Sequence, residues 1–136
     1  MTEATAQSFL FYLAGFETSS TAATYCLYEL SVNQDIQAKV REEIRTVNEK
    51  HGGITYNGIM DMKYLHEVVS ETMRKYPPVS ILNRICTKDV ELPGTDIRIP
   101  EGTLLTIPVI GLHRDPSIYP DPDKFDPERF SEENVA

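Results

Sequence analysis

The distribution of proline is the strongest constraint on the fold of this chain. All nine prolines lie between Pro77 and Pro127. Proline lacks a backbone N–H and disrupts helix interiors, but it is common in turns and irregular segments. Residues 1–76 can therefore be helical throughout, whereas residues 77–136 must form strands, turns and Pro-rich coil. We predict one domain over residues 1–136, mainly α with a small antiparallel β-sheet.

Apolar periodicity divides the first part into three predicted helices. The first extends from about Thr5 to Ser31, and its early turns are apolar on nearly every side, which is typical of a helix with neighbours all around it. Asn33 is a predicted N-cap for a second, amphipathic helix. After the glycines at 52–53 a third helix is expected, and the prolines at 77–78 end it.

The second part contains short β-prone runs separated by turn signals, and these predict the sheet. A segment rich in Pro and Asp follows over residues 113–130, with aromatic and aliphatic anchors, and it is expected to be ordered coil. The acidic tail, residues 131–136, is expected to be neither helix nor strand. The predicted strands cover residues 83–86, 90–92, 97–99 and 103–109.

Composition excludes several classes of function. The formal net charge is −8, which disfavours binding to nucleic acid or to anionic lipid. The longest apolar stretch, Phe9 to Phe16, is far shorter than the ~20 residues of a membrane-spanning helix. Cys26 and Cys86 fit neither a disulfide scaffold nor a zinc knuckle, which favours a reducing compartment. The three histidines are scattered, and we assign no metal to them.

The segment from Ala14 to Thr21 conflicts with its position in the middle of a predicted helix. Glycine costs about 1 kcal/mol relative to alanine there, and Ser and Thr compete for backbone hydrogen bonds. One interpretation is that Gly15 admits a flat group or ligand, that Thr18 turns its hydroxyl toward the Ala14 carbonyl, and that Glu17 supplies a carboxylate for proton transfer. The alternative is a Ser/Thr-rich helix packed closely on a neighbour.

Glu71 and Arg74 lie at i and i+3 of the third helix, a spacing that brings opposite charges together. An exposed pair of this kind contributes only about 0.3 to 0.5 kcal/mol. If the pair is buried, loss of one member costs about 3 to 5 kcal/mol. The spacing favours a structural role.

Three short motifs follow one another along the chain: Ala14-Gly15-Phe16-Glu17-Thr18, Glu71-Thr72-Met73-Arg74 and Pro127-Glu128-Arg129-Phe130. In their order and separations they resemble the cytochrome P450 family. The stretches at 76–78, 84–89 and 113–116 also match, so the resemblance covers essentially the whole chain. It is greatest to the microsomal animal clan that oxidises foreign lipophilic compounds, and to its insect members.

The resemblance implies a partial P450 fold with a long distal helix, a helix pair, a small sheet and a Pro-rich meander. It implies that Ala14 and Gly15 make room for dioxygen beside a haem b group, and that Glu17 and Thr18 relay protons. Glu71, Arg74 and Arg129 would form a buried salt-bridged cluster that supports haem incorporation. Arg84 would bind a haem propionate. The implied lining of a lipophilic substrate pocket is Leu10, Leu13, Val79, Ser80 and Leu82.

The glycine-flanked cysteine loop that supplies the thiolate in this family does not follow Phe130. Neither Cys26 nor Cys86 has that context, so no metal ligand is assigned in this chain and the axial cysteine is expected outside it. The sequence is therefore interpreted as an internal fragment, inactive alone. Its parent is expected to be a monooxygenase at the endoplasmic reticulum, anchored by absent segments and receiving NADPH electrons through a reductase. The alternative is a truncated non-enzymatic helical protein that binds a partner.

Overall fold

The computed structural model describes residues 2–134 of the chain. These residues are mainly helical with a little antiparallel β-structure, which confirms the predicted fold class. The acidic tail forms turns at residues 131–134, and its last two positions lie outside the described residues. In chain order the elements are α1 (Glu3–Val32), α2 (Gln34–His51), α3 (Tyr56–Asp61), α4 (Lys63–Lys75), β1 (Leu82–Ile85), β2 (Val90–Glu91), β3 (Arg98–Ile99), β4 (Leu104–Ile107), α5 (Val109–His113) and a 3₁₀ turn (Pro127–Phe130).

The core lies where α2 and α4 meet the Pro-rich segment. Ile36 and Val40 of α2 are buried against Val68 of α4 and Phe125. The predicted apolar face of α2 is confirmed, since Ile36, Val40 and Val47 are buried along one stripe. The second half of α1 reaches this core through Cys26 and Leu30. This packing holds α1 and α4 side by side, with the segment that follows α4 beside them.

The first half of α1 has few neighbours in the described part of the chain. Phe9 is 62% exposed and Phe11 is 78% exposed, although both are large apolar side chains. The sequence predicts a helix with neighbours all around it, whereas the described residues cover only one side of its second half and leave Leu27 and Tyr28 exposed. No helix in the described part of the chain is both long enough and apolar enough to cross a membrane.

The helix boundaries differ from the prediction in three places. α1 is longer at both ends than the predicted span from Thr5 to Ser31. Asn33 occupies the N-cap position of α2, but its side chain makes no capping hydrogen bond to that helix. Its Nδ2 group donates to the carbonyl and carboxylate of Glu29 instead. The expected third helix is two helices. Thr55 caps the short α3 through the Gly58 amide, and the non-helical backbone of Met62 separates α3 from α4.

The strands form two separate two-stranded antiparallel sheets. β1 pairs with β4, with Leu82 opposite Ile107, and β2 pairs with β3, with Val90 opposite Ile99. The fourth strand was expected to continue to residue 109. It ends at Ile107 because Pro108 cannot donate a ladder hydrogen bond, and the short α5 follows.

Candidate functional site

The Glu71–Arg74 pair is buried, with side-chain exposures of 0% and 1%. Arg74 Nε donates to Glu71 Oε2 at 2.6 Å and Nη2 donates to Oε1 at 2.9 Å, which is a bidentate ion pair. The remaining donors of Arg74 reach the carbonyls of His113 at 2.7 Å and Pro122 at 2.8 Å. The guanidinium therefore joins α4 to two points of the Pro-rich segment.

Arg129 lies on the other side of the same carboxylate. Its Nε is 3.6 Å from Glu71 Oε1, and its Nη2 donates to the Asp121 carbonyl at 3.0 Å. Nε is buried and has no hydrogen-bond acceptor among the described residues, so its contact with Glu71 is electrostatic only. Glu71 also accepts the Asp126 amide at 2.9 Å. The structure thus brings Glu71, Arg74 and Arg129 together, while their functional role remains a prediction.

An open cavity of about 470 Å³ lies between α1, α4 and the residues that follow α4; we call it the groove. Thr18 contributes to it from α1, Val79 from the segment before β1, and Leu82 from the first position of β1. Residues predicted for the oxygen site and for the substrate pocket, in distant parts of the sequence, therefore line one cavity. Its full lining is Thr18, Ser70, Met73, Arg74, Pro77, Pro78, Val79, Leu82, Val109, His113, Tyr119 and Phe130.

The Ser and Thr side chains that conflict with the helix pattern of residues 14–21 form hydrogen bonds to the helix backbone. Thr18 Oγ1 donates to the Ala14 carbonyl at 2.6 Å, as the sequence predicts. Ser20 and Thr24 likewise donate to the carbonyls of Phe16 and Ser20, one turn earlier. These bonds satisfy the hydroxyls within the helix, so α1 continues through the segment without interruption. A Cβ placed on Gly15 would meet no atom within 4 Å, so the space beside this glycine is open.

Other predicted site residues do not line the groove. Glu17, Leu10, Leu13 and Ser80 are exposed and lie outside its lining. Arg84, on β1, is also exposed, and its Nη1 donates to the Asn83 carbonyl at 2.8 Å. Side chains two positions apart in a strand share a face, so Arg84 lies on the same face of β1 as Leu82. The described residues thus bring only Thr18, Val79 and Leu82 of the predicted oxygen and substrate sites together.

Neither cysteine lines the groove. Burial raises the pKa of the Cys26 thiol, and a hydrogen bond with Thr72 opposes this shift. The Cys86 thiol donates to the Lys88 carbonyl at 3.0 Å. Within residues 2–134, no group of three or more His, Cys, Asp or Glu side chains could hold a metal ion.

Sequence reasoning gave no role to His113 and Tyr119, which surround Arg74. His113 Nδ1 donates to the Arg74 carbonyl at 3.0 Å, while its own carbonyl accepts from the Arg74 guanidinium. The guanidinium carbon lies 5.2 Å from the centre of the Tyr119 ring, within range of a cation–π interaction. The only available signal was the cluster of His, Pro and aromatic residues at 113–120, which does not identify their partner.

The amino-acid sequence of the chain also matches known proteins. A family model described as Cytochrome P450 matches residues 1–136. The chain belongs to the cytochrome P450 family. Over 135 residues it is 48% identical to cytochrome P450 6l1 of Blattella germanica, a match that covers 98% of this chain and 27% of that relative.

Two other insect P450 proteins show similar values. Cytochrome P450 6a2 of Drosophila melanogaster is 52% identical over 136 residues, covering 98% of this chain and 27% of the relative. Cytochrome P450 6j1 of Blattella germanica is 54% identical over 130 residues, a match that covers 95% of this chain and 26% of that relative. These matches confirm the predicted insect-like P450 resemblance. The chain spans about a quarter of the length of these relatives.

Proposed function

We propose that this chain is part of a haem-thiolate monooxygenase that inserts one oxygen atom from dioxygen into a lipophilic substrate. The observation that carries the proposal is the groove, where Thr18 shares one largely apolar cavity with Val79 and Leu82. Apolar walls suit a lipophilic substrate, and a hydroxyl at such a wall is placed to handle protons during its oxidation. Membership of the P450 family supports the same reaction class.

Residues close in sequence to the lining of the groove are proposed to hold a haem b group. The open space beside Gly15 lets a flat ring approach the backbone of α1. Among the described residues, the Arg84 guanidinium donates one hydrogen bond, to the Asn83 carbonyl. Its other N–H groups are available to bind a propionate. We therefore assign the ring face to Ala14 and Gly15 and a propionate to Arg84. When bound, the haem supplies the iron that activates dioxygen, and we assign its thiolate ligand to a cysteine outside this chain.

Thr18 and Glu17 are proposed to deliver protons. The Thr18 hydroxyl donates to Ala14 in the structure, and rotation of its side chain would release this donor toward the groove. Glu17 precedes it and therefore lies roughly 100° around the helix axis. Because Glu17 is exposed, it can exchange protons with solvent and pass them to Thr18 through water.

The cluster of Glu71, Arg74 and Arg129 is proposed to support haem incorporation structurally. Its support is the set of hydrogen bonds that fix the Pro-rich segment on α4 beside the groove. The cluster does not need to touch substrate for this role. The 136-residue chain alone is proposed to be inactive, because it lacks a cysteine in the context of the family's haem loop.

The electron source is proposed to be NADPH, acting through an NADPH-dependent cytochrome P450 reductase. We propose location on the cytosolic face of the endoplasmic reticulum, with membrane association through segments outside this chain. Family membership and similarity to the insect relatives support these assignments. A nucleic acid partner is not proposed, since the chain carries a net charge of −8.

The test is the reduced carbon monoxide difference spectrum of the full P450 protein that contains this sequence. We expect a Soret band at the position typical of thiolate ligation. A well-folded protein without a haem band would contradict the proposal. That result would favour the alternative, a non-enzymatic protein that binds a partner through the exposed apolar half of α1, where Phe9 and Phe11 lie.

A further inference from the structure

A buried carboxylate outside the groove joins α1 to the end of α4. Glu29, only 2% exposed, accepts the Tyr76 hydroxyl at 2.6 Å and forms an ion pair with Lys75 at 2.9 Å. It also accepts the Asn33 amide at 3.0 Å. A buried charge is stable only when donors surround it, and here three side chains do so. The carboxylate therefore fixes α1 against the C-terminal end of α4.

Tyr76 carries this constraint into the wall of the groove. Its ring is stacked on Tyr25 of α1, with centroids 4.2 Å apart and planes 5° apart. Tyr76 directly precedes Pro77 and Pro78, which line the groove together with Val79. Proline fixes φ, so the position of Tyr76 is transmitted to Val79 through a stiff segment.

The α1 residues involved lie on one face of that helix. Thr18, Thr21, Tyr25 and Glu29 are separated by 3, 4 and 4 positions, a helical stripe. Thr18 lines the groove, whereas Thr21 and Tyr25 line a neighbouring cavity of about 260 Å³ shared with Tyr76 and the two prolines. The same face of α1 thus holds the candidate proton donor at one end and the anchoring carboxylate at the other.

We propose that Glu29 and Tyr76 are positioning residues whose hydrogen bond sets the separation of Thr18 and Val79 across the groove. This inference rests on the proposed monooxygenase function. If the separation increases, proton delivery from Thr18 is less well matched to a substrate held at Val79. Dioxygen is then reduced by two NADPH-derived electrons and two protons to hydrogen peroxide, and the substrate leaves unoxidised. Burial and the hydrogen bond to Glu29 raise the pKa of Tyr76, so its hydroxyl remains a donor at neutral pH.

The test compares Tyr76→Phe with Tyr25→Phe in the full P450 protein. Each variant removes one hydroxyl from the same stacked pair, but in the described part of the chain only the Tyr76 hydroxyl bonds to Glu29. The first readout is amide hydrogen exchange at Tyr76 and at residues 79–82, which does not require catalytic turnover. We expect Tyr76→Phe to accelerate it about tenfold, equivalent to about 1.4 kcal/mol, and Tyr25→Phe to leave it unchanged.

The second readout is the fraction of NADPH electrons recovered as hydrogen peroxide, measured together with haem content. Tyr76→Phe is expected to raise this fraction severalfold at normal haem content, whereas a merely structural residue would lower haem content without changing the fraction. If Tyr76→Phe does not retain haem, Glu29→Met takes its place, because it removes the acceptor of the Tyr76 hydroxyl while roughly keeping the volume of the side chain. An unchanged peroxide fraction in the haem-containing variant would overturn the proposal.

Thr18→Ala is measured in parallel to separate the two hypotheses. If it leaves the peroxide fraction unchanged, the proton-delivery role of Thr18 fails, and the positioning role fails with it. If it raises the fraction while Tyr76→Phe behaves like Tyr25→Phe, only the positioning proposal is overturned.

Discussion

Replacing Arg74 with alanine should prevent formation of the haem protein. The substitution leaves the Glu71 carboxylate fully buried, with the Asp126 amide at 2.9 Å and Arg129 Nε at 3.6 Å as its remaining partners. Breaking a buried ion pair in this way costs about 3 to 5 kcal/mol. The carbonyls of His113 and Pro122 also lose their donor, at about 1 kcal/mol or more each. The sum is comparable with the entire stability of many domains, about 5 to 15 kcal/mol.

The assay is haem content per polypeptide, with urea unfolding of whatever folded protein is obtained. Arg45→Ala is the matched control, because Arg45 also pairs with a glutamate three residues earlier but is 67% exposed. An exposed pair contributes less than about 1 kcal/mol, so this variant should retain haem. Equal haem content in the two variants would refute the argument that burial, and not spacing, gives the Glu71–Arg74 pair its energy.

Three further outcomes are expected. Thr18→Ala should raise hydrogen peroxide release severalfold at unchanged haem content, with Thr18→Ser restoring coupling. Glu43 accepts the Tyr64 and Leu65 amides at 2.8 Å each, so Glu43→Ala should reduce the free energy of unfolding by about 1 to 2 kcal/mol; an equal loss in the neighbouring Glu42→Ala would contradict this. The Glu101 amide and the Arg98 guanidinium lower the pKa of Asp89, so its contribution to the β2–β3 hairpin is present above about pH 4 and lost as the pH falls through the folded pKa. NMR shifts of the hairpin amides should show this transition, and Asp89→Asn should abolish it.

The helical half could be predicted because it depends on local signals. The absence of proline before Pro77 and the apolar period of α2 require no knowledge of the tertiary structure. The bond from Thr18 to Ala14 was also predictable, because a Ser or Thr hydroxyl inside a helix reaches the carbonyl four residues earlier. These features are decided within one or two turns of chain.

Features decided by distant contacts could not be predicted. Asn33 has the residue type of an N-cap, yet its side-chain amide donates to the Glu29 carboxylate four residues earlier, and Glu29 is itself held by Tyr76 and Lys75 at the end of α4. The sequence pattern places Glu43 on the charged face of α2, but its carboxylate accepts two backbone amides in the first turn of α4. In both cases contacts made at α4 decide the role of the side chain, and periodicity alone does not reveal those contacts.

The two Glu-x-x-Arg pairs show the same limit at the candidate site. Glu42 with Arg45 and Glu71 with Arg74 have identical spacing on amphipathic helices, and both form short ion pairs. What differs is the chain packed over them. The segment from His113 to Asp126 covers the second pair and supplies the carbonyls and the amide that complete its hydrogen bonds. Burial of that pair is therefore a property of the Pro-rich segment as much as of α4. Substitutions that displace the segment should consequently lower haem content even when Glu71 and Arg74 are intact.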